Sequence, residues 1–218
     1  PDGRLVEAVR DQDYLKVRTL LNERADVNGR LGDGSTALLW AAHWNALETA
    51  GLLIRAGADA NAANDFRMTP LSQACTNGSA AFVDLLLKAG ANPNAQIATG
   101  ASPLLSCARS GSADAVRMLL AGGADANARE PAQNQTALMF AAAEHHPDVV
   151  RTLIAAKADI HARTKNGFTA LHFAAREGDI ESARLLLAAG VNVDVRSQPD
   201  LPSGGKKTEQ DSAGAAAA

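Results

Sequence analysis

A seven-residue motif recurs five times along this chain at an almost constant spacing. Successive copies are 33, 33, 34 and 33 residues apart, and they begin at Thr36, Thr69, Ser102, Thr136 and Thr169. A second motif, rich in Ala, Asp and Asn, recurs in the same register at 24–28, 57–61, 90–94, 123–127, 157–161 and 190–194. A unit of this length cannot bury its apolar face alone, so the repeats have to stack on one another to form a core.

The chemistry of each unit predicts two short helices and a protruding loop. Thr or Ser followed by Pro or Ala is a typical helix start, because the hydroxyl caps a free amide and the next position tolerates proline. A left-handed residue is expected to end the first helix in the slot held by Asn45, Gly78, Gly111, His145 and Gly178. The corresponding slot after the second helix holds Arg24, Gly57, Gly90, Gly123, Lys157 and Gly190. The polar stretch that follows predicts a finger loop.

The composition agrees with closely packed helices. Hydrophobic residues make up 46% of the chain but aromatic residues only 4%, which argues against a β-sandwich or β-barrel. A net charge of −3 excludes a nucleic-acid binder that works by bulk charge, and no apolar run reaches the length of a membrane span. Cys75 and Cys107 take small-residue positions of the motif, and we expect two buried, inert thiols.

The 33-residue period and its T-P-L-H-like opening, as in Thr169-Ala170-Leu171-His172, resemble the ankyrin repeat over about residues 2–196. The amino-acid sequence of the repeats is also similar to that of long ankyrin arrays from bacteria. The resemblance implies an all-α solenoid of stacked helix-turn-helix units with finger loops, in one cooperative domain spanning 1–196. Its expected repeats are 1–33, 34–66, 67–99, 100–133, 134–166 and 167–196. The first is expected to be a polar capping repeat, and 197–218 a flexible linker or tail.

No catalytic arrangement emerges from the sequence. His145 and His146 follow Glu144 and precede Asp148, but adjacent residues in a turn point in different directions and no third metal ligand has suitable spacing. We therefore expect no metal, no cofactor and no enzymatic activity. The resemblance gives His172 a structural hydrogen bond near the start of its helix.

The surface carries the functional prediction. In ankyrin-like stacks, the finger tips and the exposed side of each first helix line a concave groove that usually binds partners. The candidate partner-binding residues here are Asp33, His43, Trp44, Asp65, Phe66, Met68, Asn77, Arg109, Arg129, Arg163, Phe168 and Arg176. Those that are large and apolar, and could serve as anchors or fold back onto a neighbouring finger, are Trp44, Phe66, Met68 and Phe168. Three further aromatic side chains lie one motif position deeper, and we expect them to pack within the stack: Trp40, Phe140 and Phe173.

We expect a non-catalytic scaffold that binds a protein or peptide through this groove. The alternative is an architectural spacer, or an intramolecular docking segment, of a longer ankyrin-array protein. An apolar part of the partner would dock near Trp44 and Phe66. Its acidic groups would meet the basic side chains Arg109, Arg129, Arg163, Arg176 and Arg196. The alternative is a solvated charged face that Glu144 and Glu177 neutralise. We expect a monomer, with neither nucleic-acid binding nor membrane insertion; the cytoplasm is the default location, with export open if a leader has been removed.

Overall fold

A computed structural model describes residues 2–197, and these form twelve helices, numbered in chain order, with no β-strand among them. The first helices of the successive pairs are α1 (Arg4–Arg10), α3 (Ala37–His43), α5 (Pro70–Thr76), α7 (Pro103–Arg109), α9 (Ala137–Ala143) and α11 (Ala170–Glu177). The second helices are α2 (Tyr14–Asn22), α4 (Leu47–Arg55), α6 (Ala80–Lys88), α8 (Ala113–Ala121), α10 (Pro147–Ala155) and α12 (Ile180–Ala188). The predicted all-α solenoid of stacked helix pairs is confirmed.

Hydroxyl residues precede α3, α5, α7, α9 and α11 as the motif predicts, but at α7 the hydroxyl of Ser102 accepts no amide hydrogen bond, so the predicted cap is not formed there. The side chains of Thr36, Thr69 and Thr136 each accept a hydrogen bond from the amide three residues further on. At α11 the cap is reciprocal, because the amide of Thr169 also donates to Nδ1 of His172 at 3.2 Å. The structural hydrogen bond expected of His172 is therefore present. Each cap satisfies an amide that the helix itself leaves free.

Left-handed residues end both helices of the repeats. In the slot after the first helix, φ is +67° at Gly78, and Asn45 and His145 adopt +53° and +59° although they carry side chains. In the slot after the second helix, Arg24 and Lys157 adopt +58° and +61°. The backbone thus keeps the same conformation whether or not glycine occupies the slot, so the non-glycine residues carry strain.

One continuous apolar cluster runs through the stack from Leu5 to Val191. The leucine of the motif is almost completely buried in the second to fifth pairs, and the small residues around it allow each first helix to contact the next. These leucines are Leu38, Leu71, Leu104 and Leu138. The core is therefore a spine that each repeat extends by one layer.

The two cysteines lie on adjacent first helices, α5 and α7. Both are fully buried, as predicted, but the expectation of inert thiols is wrong because their sulfur atoms form a disulfide between Cys75 and Cys107. The two residues are 32 positions apart, one less than the repeat period, and their Cα atoms are 4.4 Å apart. Close packing of small-residue positions brings the two side chains together.

Asparagines connect successive fingers. The side-chain amides of Asn28, Asn61 and Asn94 donate to the carbonyl oxygens of Gly57, Gly90 and Gly123, at 2.9 to 3.0 Å. In return, the carbonyl oxygen of each of these side chains accepts a hydrogen bond from a backbone amide of the next finger. The recurring Asn of the second motif thus has a structural role, since it joins each finger to its neighbour.

Both ends of the stack expose large apolar side chains. In the first pair the predicted core residues Leu5, Ala8 and Val9 are buried while Leu15 on α2 is 80% exposed, and the last pair exposes Ile180 and Leu187 at 67% and 42%. None of the helices in residues 2–197 is both long and apolar enough to cross a membrane. Residue 197 starts the segment that we expect to be a tail; the rest of that segment lies outside the described residues.

Candidate functional site

The groove is defined here as the exposed side of helices α3, α5, α7, α9 and α11 together with the finger tips that precede them. Its finger side is where these helices begin, and its turn side is where they end. The candidate residues from the sequence divide between these two sides.

Three aromatic rings cluster on the turn side at α3. The ring of Trp44 lies 4.7 Å from that of His43 and 6.2 Å from that of Trp40, as measured between centroids. Nε1 of Trp44 donates to the carbonyl oxygen of Arg10 at 3.1 Å, which satisfies the end of α1 and fixes the indole. Trp44 nevertheless keeps 41% of its surface exposed, whereas Trp40 is half-buried, as expected for the deeper position.

The finger side carries two aspartates and an exposed phenylalanine. The carboxylate of Asp33 accepts from the amide and the hydroxyl of Ser35, at 3.0 and 2.8 Å, and these bonds lower its pKa. The amide of Asp65 donates to the carbonyl oxygen of Asp33, so neighbouring finger tips are joined. Phe66 is 68% exposed and Met68 is half-buried. Phe66 is therefore the apolar side chain on this side that is available for contact.

Two candidates from the sequence are occupied within the stack. The amide nitrogen of the Asn77 side chain donates to the carbonyl oxygens of Ala42 and His43, at 2.9 and 3.1 Å. Phe168 is half-buried, with its ring centroid 6.2 Å from that of Phe173. Phe168 therefore packs against the helix of its own repeat, not against a neighbouring finger.

The arginines of the later repeats differ in the groups that their guanidinium nitrogens contact within the protein. Arg129 and Arg163 each donate to a carbonyl oxygen of the next finger, at 3.1 and 3.4 Å. The guanidinium of Arg176 lies 5.1 Å from the ring centroid of Phe173 and pairs with Glu177 at 2.7 Å. Arg109 lies 5.5 Å from the ring centroid of Phe140, and no ion pair involves it among residues 2–197. Arg109 thus differs from Arg129, Arg163 and Arg176, whose guanidinium groups are held by a carbonyl oxygen or a carboxylate.

The paired histidines hold neighbouring repeats together. Nε2 of His146 lies 2.9 Å from the carbonyl oxygen of Arg109, and Nε2 of His145 lies 2.9 Å from that of Glu177. Because carbonyl oxygens only accept, each ring nitrogen carries the hydrogen. The two rings therefore reach in opposite directions along the stack. Within the described part of the chain, no group of three His, Cys, Asp or Glu residues has the arrangement of a metal site.

Sequence reasoning missed several of these contacts. The bond from Trp44 to Arg10 and the role of Asn77 cannot be inferred from the motif, because both connect atoms of different repeats. Ser106 was also missed as a groove residue. It is the fifth residue of its motif, the same position that Trp40 holds in the motif that begins at Thr36. That register is the signal by which the sequence could have identified it.

A model of the ankyrin repeat family, described as ankyrin repeats in three copies, matches residues 5–97, 52–130 and 104–197. A search of curated proteins found no match. The matched ranges overlap and together cover the stack of helix pairs described above. On the repeat period, the helix pairs and this match, the chain belongs to the ankyrin repeat family.

Proposed function

We propose that the domain is a non-catalytic scaffold that binds a protein or peptide through its groove. Ankyrin repeats are generally protein-interaction scaffolds and typically lack catalytic activity. The observation that carries the proposal is the exposure of Trp44 and Phe66, at 41% and 68%, on opposite sides of the same groove. Exposed aromatic side chains that a core does not require are typical interaction anchors.

The structure favours Trp44 as the principal anchor. Its indole is already held by the bond to Arg10 and by the ring of Trp40, so little side-chain freedom is lost when a partner packs against it. Phe66 and the aspartates of the finger tips lie on the finger side of the same groove. A partner segment that crosses the groove would contact both.

The test is partner capture followed by binding kinetics with variants of the exposed residues. Trp44→Ala should raise the dissociation rate, whereas Arg176→Ala should mainly change the association rate and its salt dependence. Leu15→Ala is a matched control, because Leu15 is 80% exposed but lies on α2, away from the groove. Unchanged binding of both groove variants at low salt would show that the groove is not the interface.

The alternative, an architectural segment, is favoured by a separate observation. Ile180, Leu187 and Val193 leave an apolar surface at the last described helix pair. A docked neighbouring segment would cover these side chains without involving the groove. Protection of this surface from hydrogen exchange in a longer form of the protein, with the groove unprotected, would favour that role.

A further inference from the structure

A small cavity opens in the groove between α5, α7 and α9. Its volume is about 340 Å³, and it is lined by Thr76, Ser106, Arg109, Ser110 and Glu144. This is enough room for one side chain of a partner. The disulfide between α5 and α7 connects the two helices that supply most of the wall.

The two charged groups of the cavity are not paired with each other. Among the described residues neither Arg109 nor Glu144 forms an ion pair, although both line the same space. The guanidinium of Arg109 is held against the ring of Phe140, so its hydrogen-bond donors remain available at a fixed position. The cavity therefore presents one donor group and one carboxylate acceptor to a ligand.

Two of the three hydroxyl groups in the cavity add acceptors rather than donors. The hydroxyl of Thr76 donates to the carbonyl oxygen of Ser72 at 3.0 Å, and that of Ser110 donates to the carbonyl oxygen of Cys107 at 3.0 Å. A hydroxyl has a single hydrogen, so these two oxygens can only accept from a ligand. The hydroxyl of Ser106 has no partner within residues 2–197 and can act either way.

We propose that this cavity is a subsite for a primary carboxamide, the side chain of a Gln or Asn in the partner segment. The carboxamide oxygen accepts from Arg109, and its two N–H groups donate to Glu144 and to the oxygen of Thr76 or Ser110. A carboxylate would satisfy Arg109 but would meet Glu144 and two acceptor oxygens with no hydrogen to give. An ammonium or guanidinium group would be repelled by the positive charge of Arg109. The inference rests on the proposed function, since it specifies one contact of the same groove.

The test uses three small probes that share the same main chain: N-acetyl-glutamine methylamide, its glutamate counterpart and its alanine counterpart. Each is titrated at millimolar concentrations into the isotope-labelled protein while the Nε–H signal of Arg109 is followed. The glutamine probe should shift this signal, and the glutamate probe should bind roughly fivefold to tenfold more weakly, because it leaves acceptors unpaired. The alanine probe reports any contribution of the main chain, and binding equal to that of the glutamine probe would overturn the proposal.

Glu144→Gln separates the proposal from a simple anion site. In this variant the preference should shift toward the glutamate probe, because the repulsive carboxylate is gone and an amide donor replaces it. In Arg109→Ala, where the backbone amide signals of Ser106 and Ser110 replace the lost Nε–H signal as the readout, the glutamine probe should cause no shift. Arg117→Ala, which removes an exposed arginine of α8 that pairs with Asp114 outside the groove, should leave binding of this probe unchanged. Stronger binding of the glutamate probe to the unmodified protein, or no shift by any probe, would overturn the proposal. Failure of Trp44→Ala to affect partner binding would instead count against the proposed function alone.

Discussion

Lys157 occupies a position where the fold requires a left-handed backbone, with φ at +61°. A side chain in this conformation costs about 1–2 kcal/mol, whereas glycine avoids that strain and loses about 0.5–1 kcal/mol more chain entropy on folding. Lys157→Gly should therefore relieve about 0.5–1 kcal/mol net of backbone strain. Because the lysine side chain is exposed, the substitution removes no packing.

One opposing effect has to be separated from this gain. Lys157 follows the carboxyl end of α10, where a positive charge is favourable by about 0.3–1 kcal/mol. Lys157→Ala is the matched control, since it removes the charge but keeps the Cβ atom and the strain. The glycine variant should thus exceed the alanine variant by about 0.5–1 kcal/mol in unfolding free energy, and by roughly 1–4 °C in Tm.

Urea unfolding followed by circular dichroism measures the difference, and the reverse substitution checks its cause. Gly123 has φ at +89°, and no atom lies within 4 Å of the position that a Cβ atom would take. Gly123→Ala therefore adds backbone strain without a clash, and it should lower stability by about 1 kcal/mol. If the glycine variant at position 157 is no more stable than the alanine variant, backbone strain does not explain this turn.

Three further outcomes are expected. Replacing Cys75 and Cys107 together by alanine should lower stability by roughly 3–4 kcal/mol in the chain-entropy description, because the disulfide closes a loop of 32 positions, and reductant should shift the Tm of the unmodified protein alone. Hydrogen exchange should be faster in residues 167–196 than in 67–128, because an interior repeat has two neighbours; equal protection would mean that the last pair is covered. Asp33→Asn should slightly destabilise the domain at neutral pH. Since folding lowers the pKa of Asp33, this stabilisation is complete above its ordinary value of 3.8 and is lost as the pH falls through the folded value, so the two proteins should converge in acid.

The repetition of the sequence predicted most of the fold because the determinants of each helix pair are local. A hydroxyl cap acts on an amide three residues away, and the slots held by Asn45, His145 and Lys157 are fixed by their distance from the helix that they end. Each of these features has several copies in register, so one copy that departs from the pattern is still assigned by the others. The left-handed conformation at Lys157 was predictable in this way although lysine does not favour it.

The candidate site was less predictable because its properties depend on atoms from different repeats. Sequence reasoning placed Trp44 and Phe66 on the groove, and both are exposed there, but it assigned the same role to Phe168, which packs against its own repeat. It also treated the arginines as equivalent. Their partners are carbonyl oxygens or carboxylates that the stack brings to them, and a register position does not specify those.

The sequence by itself determined the period, the helix pairs, their left-handed turns and the caps at α3, α5, α9 and α11, since each follows from residues within one repeat. The tertiary structure decided which side chains remain available. It joined Cys75 to Cys107 across two helices, and among residues 2–197 it left Arg109 and Glu144 without an ion pair on one cavity. The physical reason is the range of the interactions: a helix is specified over a few residues, whereas a disulfide, an ion pair or a free donor depends on how two repeats meet in space.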